Sequence, residues 1–292
     1  MPPIPISVLI PTRNEERNLP ACLESVAWAG ERVVFDSLSD DRTLEIAAEH
    51  GARVVQRAFD DFARHKNWAL DEIDFAHPWV LILDADERVT PALAEEIAAL
   101  FAEGEPACDG YYLARRIFWR GRWLRHGGRY PDYNLRLIRR GRGRYEQRRV
   151  HEHMVVEGPV GYLRHPLDHD DDKGIERYIE RHNHYSTLEA LEILRAEAGA
   201  AAEEIAPDLR RRGPQRRRAL KRWAYRWLPA RPLFVFLYLY LFRLGFLDGR
   251  PGLDSALLRA IYEYQIDLKL RELRDPASPL ARRWRPSREE KP

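Results

Sequence analysis

Cysteine is nearly missing from this chain: Cys22 and Cys108 are the two among 292 residues, far apart and without the paired spacing of a zinc or iron–sulfur site. A disulfide scaffold is excluded, and a reducing cytosol fits. Long hydrophobic runs are also lacking. The apolar stretch Leu233 to Phe242 is about half the length of a membrane-spanning helix, roughly 20 residues. The run Ile4 to Ile10 is shorter still, contains Pro5 and has no basic leader, so a secretory signal is not expected. Neither Gly-X-Gly-X-X-Gly nor Gly-X4-Gly-Lys-Ser/Thr occurs, which removes the main support for dinucleotide-binding and P-loop readings. There is no excess of one charge: 48 basic residues against 46 acidic leave a net charge of +2. Attraction for anionic partners must therefore come from local clusters. What is present, 45% hydrophobic and 32% charged residues, is enough for one large core or a domain with an appendage.

The first hundred residues alternate in pattern. Strands are predicted at Ile6–Ile10, Arg32–Phe35, Ala52–Gln56 and Val80–Leu83, with helices at Asn18–Trp28, Thr43–His50, Ala63–Ile73 and from Pro91 to Phe101. Such a β-α-β-α-β-α-β series specifies an α/β fold with a mostly parallel sheet, right-handed crossovers and helices on its faces. Ligands in such sheets bind beyond the carboxyl ends of the strands.

The most informative segment lies at one of those ends. Val80-Leu-Ile-Leu-Asp84-Ala-Asp86-Glu87 is a buried apolar strand that delivers two carboxylates one residue apart. Asp84 and Asp86 face the same side and suit Mg²⁺ or Mn²⁺, which would hold a diphosphate in a fold without a glycine-rich loop. An acidic cap for the following helix is the plain alternative.

Four segments in order resemble the family 2 glycosyltransferases, enzymes of the GT-A fold that use nucleotide-diphosphate sugars: Ser7-Val-Leu-Ile-Pro-Thr-Arg-Asn-Glu15, Val34-Phe-Asp36-Ser-Leu-Ser-Asp-Asp-Arg-Thr43, Arg64-His-Lys66-Asn67-Trp-Ala, and Leu83-Asp84-Ala-Asp86-Glu87. The resemblance covers the first half of the chain. It implies a Rossmann-like catalytic domain over residues 1–175 and a UDP-sugar donor. Asp36 would accept the uracil imide N–H, Thr12 and Glu15 would line the same crevice, and Arg64, Lys66 and Asp84 would meet the nucleotide or diphosphate. Ser37, Ser39 and Asp40 read equally as a turn and helix cap.

Transfer with inversion, inherited from the same resemblance, requires a general base for the acceptor hydroxyl. Tyr130-Pro-Asp132-Tyr-Asn-Leu-Arg136 resembles the family's later acidic motif, with Pro131-Asp132 in place of the usual Glu-Asp pair, and makes Asp132 the favoured base. Val150-His151-Glu152 resembles a motif of the lipopolysaccharide core glucosyltransferase branch and makes Glu152 the rival. His169, preferred to His151, is the implied third metal ligand beside Asp84 and Asp86, although His169-Asp-Asp-Asp172 also reads as a cap for a helix beginning near Gly174.

Between these motifs, Ile117 to Gly128 mixes tryptophan, arginine and glycine, which suits a saccharide bearing phosphate or carboxylate groups. RNA binding uses the same ingredients, but the position after the metal motif favours sugar, and no nucleic acid partner is expected. Residues 176–292 read as a helical extension with Tyr185, Leu188, Leu191 and Leu194 on one face, a basic stretch Arg210–Arg218, and aromatic residues Trp223, Tyr225 and Trp227 before the apolar run. Docking on the cytoplasmic face of the inner membrane fits these features, and packing on the catalytic domain or homodimerisation explains the apolar run as well. The segment Arg243 to Gly252 also resembles that branch. The expected activity is transfer of a hexose, glucose by analogy, to a lipid-linked saccharide such as lipopolysaccharide inner core. A polyprenyl-phosphate acceptor, or a non-catalytic membrane- or nucleic-acid-binding protein on the same fold, is the alternative.

Overall fold

The structure, a computed structural model, describes residues 4–102, 104–146, 153–198 and 230–284. Strands β1 (Ile4–Thr12), β2 (Ala29–Asp36), β3 (Arg53–Gln56) and β4 (Trp79–Ile82) pair in parallel in the order β3-β2-β1-β4. Helices α1 (Leu19–Ser25), α2 (Thr43–Glu49) and α3 (Phe62–Glu72) make the crossovers. Strand β4 is wholly apolar, and β1 and β2 carry apolar runs at Val8–Ile10 and Val33–Phe35, because both faces are covered there. On one face Ile6, Val8 and Ile10 join Leu19, Leu23 and Ile46; on the other Leu9, Val33 and Phe35 join Ala63, Ala69 and Leu70. Asp61 caps α3 by accepting the Arg64 amide at 2.8 Å, which fixes where that helix starts.

Beyond β4 the pairing changes hand. After β5 (Glu87–Val89) and α4 (Pro91–Ala102) come β6 (Gly110–Trp119), β7 (Arg122–Trp123) and β8 (Asp132–Arg139), and β8 lies antiparallel to both β4 and β6. Strands β9 (Gly143–Tyr145) and β10 (Met154–Val156) form a separate hairpin, and β11 (Val160–Tyr162) and β12 (Leu167–His169) return parallel to β6. Strand β12 also pairs with β5, His169 opposite Glu87, so the residue after Asp86 is held in register with His169. The sheet is therefore parallel where the first crevice forms and mixed on the other side.

Helix α5 (Gly174–Glu197) packs on a long helix, α7 (Arg250–Arg274), around Ala190, Tyr262, Ile266 and Leu270. Helix α6 (Arg231–Leu237) runs on as a π-helical turn at Tyr238–Phe242, then a 3₁₀ turn at Gly245–Asp248 leads into α7; α8 (Pro279–Trp284) follows. Arg231 anchors α6 through Asp267 at 2.8 Å and Glu263 at 3.3 Å. Leu233, Phe234, Tyr238 and Leu241 are about half exposed and Phe242 is 78% exposed, so the apolar run is not an internal core helix. Among the described residues, no helix is long and apolar enough to cross a membrane.

Candidate active site

The loops after β1 and β2 meet at the carboxyl edge of the sheet. Asn14 and Leu38 both take the left-handed conformation, and Asn14 reaches across, its amide bonded to Ser39 Oγ at 2.8 Å and its Nδ2 to Asp40 at 2.7 Å. Glu15 N donates to Thr43 Oγ1 at 2.8 Å. Ser39 and Asp40 thus serve the turn, whatever else they do. Asp36 is fully buried and its carboxylate accepts from Thr12 Oγ1 at 3.2 Å, Gln56 Nε2 at 3.1 Å, and the Ser39 amide and hydroxyl at 2.9 and 2.5 Å. Direct reading of a base by Asp36 would require displacing one of these donors; as it stands, Asp36 and Thr12 lock the crevice floor. Glu15 is held by Lys173 at 2.5 Å and by Asn18 at 3.0 Å. Burial raises its pKa, with the Lys173 ammonium opposing.

The third motif divides. Arg64 is largely exposed and pairs with Asp61 at 3.2 Å, whereas the Lys66 ammonium lies 4.9 Å over the Tyr145 ring and its charge reaches Asp84. Between them His65, not anticipated from sequence, is buried against Phe35 at 4.2 Å between ring centroids. Arg57 donates to its Nδ1 at 3.0 Å, which leaves the proton on Nε2 to be donated to Ser37 Oγ at 3.0 Å. Burial and then the Arg57 charge push its pKa down to about 4.

Beyond β4 the chain turns so that the Asp84 amide donates to Glu87 at 2.9 Å. Arg136 of β8 enters this turn from the neighbouring strand, one Nη2 lying 2.6 Å from both Asp84 Oδ2 and Glu87 Oε1. Arg115 of β6 adds a second guanidinium, 3.2 Å from Glu87 and 2.5 Å from Asp132. Burial opposes ionisation of Asp84, but Arg136, Lys66 and Arg115 together outweigh it and hold the carboxyl far below its usual range. Burial raises Glu87 despite Arg136, while Arg136 itself stays firmly protonated. Arg115 was not singled out from sequence, and Arg136 was read only as part of the motif after Asp132, with no partner assigned; the available signal was an arginine within a strand, which needs a carboxylate opposite when buried.

The expected trio of Asp84, Asp86 and His169 does not converge. Asp86 Oδ2 lies 3.3 Å from His169 Nε2, whereas Asp84 is turned to Arg136. Among the described residues no group of three His, Cys, Asp or Glu side chains is gathered for a metal ion. The Asp86–His169 pair nevertheless fits Mg²⁺ or Mn²⁺: a hard carboxylate oxygen beside an imidazole nitrogen, with buried His169 Nδ1 left without a hydrogen-bond partner. Such ions take one or two protein ligands and complete their shell with substrate phosphates. Burial pulls the His169 pKa down, and Asp86 more than reverses this. Arg181 of α5, bonded to Asp171 at 3.0 Å, also carries its charge to Asp86 and Glu15. Glu152 and His151 lie outside the described residues, as do the basic stretch Arg210–Arg218 and Trp223, Tyr225 and Trp227.

The glycosyl transferase family 2 model matches residues 7–169, more than half of the chain, from the first strand through His169. The chain belongs to glycosyl transferase family 2. The transferase has the α/β GT-A fold of that family, with helices appended after β12. It is 35% identical over 197 residues to the lipopolysaccharide core biosynthesis glycosyltransferase LpsC of Rhizobium meliloti, a match spanning 65% of this chain and 72% of that one. It is 25% identical over 279 residues, 92% of this chain and 87% of the other, to an uncharacterized glycosyltransferase of Rickettsia typhi. Among solved structures, S. aureus TarS 1–349 in complex with UDP aligns over 94% of this chain and 91% of that one, at 16% identity and a TM-score of 0.46.

Proposed function

We propose that this transferase moves a hexose, with inversion, from a UDP-sugar to a lipid-linked saccharide of the lipopolysaccharide inner-core type. The observation that carries the reading is the Asp86–His169 pair, held at 3.3 Å where the crevice of Thr12, Glu15 and Asp36 meets the Arg136–Asp84 cluster. Asp86 and His169 would hold the divalent ion, Mg²⁺ or Mn²⁺. The chemistry supplied at this pair, with an ion bound, would be neutralisation of the charge that builds on the departing diphosphate.

The chain's own residues do the rest. Lys66 adds positive charge toward Asp84 and Arg181 toward Asp86, and the Arg136–Asp84–Glu87 cluster fixes the turn on which Asp86 stands. Asp132 is the proposed base: it begins β8 and is oriented by Arg115, with Glu152 as its rival. The named role of the Rhizobium relative in lipopolysaccharide core biosynthesis supports the choice of acceptor. We place the catalytic domain at residues 1–175. The exposed apolar side of α6, flanked by Arg243 and Arg250, supports a peripheral position at the inner face of the membrane, where a lipid-linked acceptor is presented.

The test is calorimetric titration with UDP, GDP and CDP, with Mn²⁺ and with chelator, repeated for Asp86→Ala. Metal-dependent binding of UDP that Asp86→Ala loses is the expected result. Equal binding of all three nucleotides in chelator would refute the donor assignment. Transfer from UDP-glucose to core saccharide or to polyprenyl phosphate then separates the two acceptor classes.

A further inference from the structure

Arg129 precedes the proposed base by three residues and sits where the tryptophan-rich segment meets the C-terminal helices. The backbone before it is pinned at two points: His126 N and Nδ1 each lie 2.8 Å from Asp248, and Gly127 N donates to Arg243 O at 2.8 Å. Arg129 Nε in turn donates to Ser255 Oγ of α7 at 2.8 Å, the Tyr178 hydroxyl lies beside the guanidinium, and a small cavity lined by His126, Arg129, Asp248 and Ser255 adjoins it.

Three arginines, Arg181, Arg129 and Arg259, each bring positive charge to bear on His182. Arg181 is paired with Asp171 at 3.0 Å and Arg259 with Glu263 at 2.6 Å. No carboxylate pairs with Arg129 among the described residues; both oxygens of nearby Asp248 are taken by His126. His182 carries no charge of its own, because burial and the three arginines push its pKa down to about 4 and leave it neutral. Burial pulls Arg129 itself below the ordinary guanidinium range and Arg259 adds to this, with Tyr178 and Asp132 opposing, so an anion in direct contact would compensate its charge.

The neighbouring polar groups have the same need. Trp119 Nε1 and Trp123 Nε1 are buried without hydrogen-bond partners. Trp119 packs edge-on against Tyr178 at 5.0 Å, and Trp123 against Tyr130, the residue after Arg129, at 5.3 Å. Guanidinium and indole N–H groups are donors that cannot accept, so a ligand here must be rich in acceptors. We infer that Arg129, with the Trp119 N–H, forms a subsite for an anionic substituent, a phosphate or a carboxylate, on the saccharide acceptor. The inference rests on the transferase reading, which puts the acceptor beside Asp132.

The test titrates the full chain, its donor site filled with UDP and Mg²⁺, with glucose 6-phosphate, glucuronate and glucose; UDP itself is titrated separately. At least one of the two anions binds more tightly than glucose, and the tighter of them names the group. Arg129→Gln weakens that binding roughly 10- to 100-fold, the worth of a charge-assisted hydrogen bond, and leaves UDP affinity unchanged. Arg129→Lys keeps the charge and loses less, while Trp119→Phe, which removes the N–H donor together with part of the indole ring, weakens binding several-fold and carries the test if Arg129→Gln does not fold. Anions that bind no better than glucose, or equally well to wild type and Arg129→Gln, overturn the subsite. Loss of UDP binding in wild type with Arg129-dependent anion binding intact would instead defeat the donor assignment alone.

Discussion

Replacing Arg136 with methionine removes one cation from between two carboxylates and keeps most of the side-chain volume. Arg136 and Glu87 are 6% and 0% exposed, and the same Nη2 serves Glu87 and Asp84 at 2.6 Å each. Removing one member of a buried pair costs about 3–5 kcal/mol, chiefly because the other charge is left uncompensated. Asp84, 38% exposed, can regain water; Glu87 cannot, and keeps only Arg115 at 3.2 Å. Glu87 already has a raised pKa from burial, and losing Arg136 raises it further. A carboxylate whose folded pKa lies above its unfolded value holds more protons when folded, so the variant loses stability as pH rises through that interval. The deficit relative to wild type is therefore larger at pH 8 than at pH 5. Urea unfolding followed by the fluorescence of the eight tryptophans measures it at both pH values. Adding Glu87→Gln to Arg136→Met should recover about 1–3 kcal/mol at pH 8, the coupling expected of contacting residues. A deficit below about 1 kcal/mol, one independent of pH, or a strictly additive double variant would refute the account of this cluster.

His65, with a folded pKa of about 4 against the ordinary 6.5, binds fewer protons folded than unfolded, so its contribution is present above pH 6.5 and fades as pH falls toward 4. The difference amounts to roughly 3 kcal/mol, and the urea midpoint of His65→Gln should fall less steeply than that of wild type over this window; parallel profiles would exclude it. A Cβ on Gly252 would lie 1.9 Å from the Gly245 carbonyl oxygen, so Gly252→Ala should cost about 1–3 kcal/mol and raise the acceptor KM while UDP affinity holds. An unchanged melting temperature would show that the turn yields freely. Asp132→Asn should lower kcat by about 10²- to 10⁴-fold with UDP-sugar binding retained; if Glu152→Gln behaves this way instead, the base is Glu152.

The parallel half was readable from sequence because strands covered on both faces leave unbroken apolar runs, and β1 to β4 were located within a few residues of their ends. The other half was harder. Strands β6 and β8 carry arginines in their middles, and a charge inside a strand reads locally as solvent exposure; only the paired structure shows Arg115 and Arg136 facing Glu87, Asp84 and Asp132. The proximity of Asp86 and His169 follows from the pairing of β12 with β5, a contact between distant segments that no local pattern encodes. His65 was hidden for a different reason: its neighbours Arg64 and Lys66 drew attention as cations, while its own work depends on Arg57 and Ser37 from other elements.

The close approach of Gly245 to Gly252, and the hold of Arg243, Asp248 and Ser255 on residues 126–129, bear on how specificity could be transplanted between members of this family. A chimera that exchanges residues 117–130 alone would set a foreign loop on a scaffold cut to another shape. Exchanged together with residues 243–256, the loop would bring its own mould, so the two distant stretches form the smallest cassette that can be inherited intact.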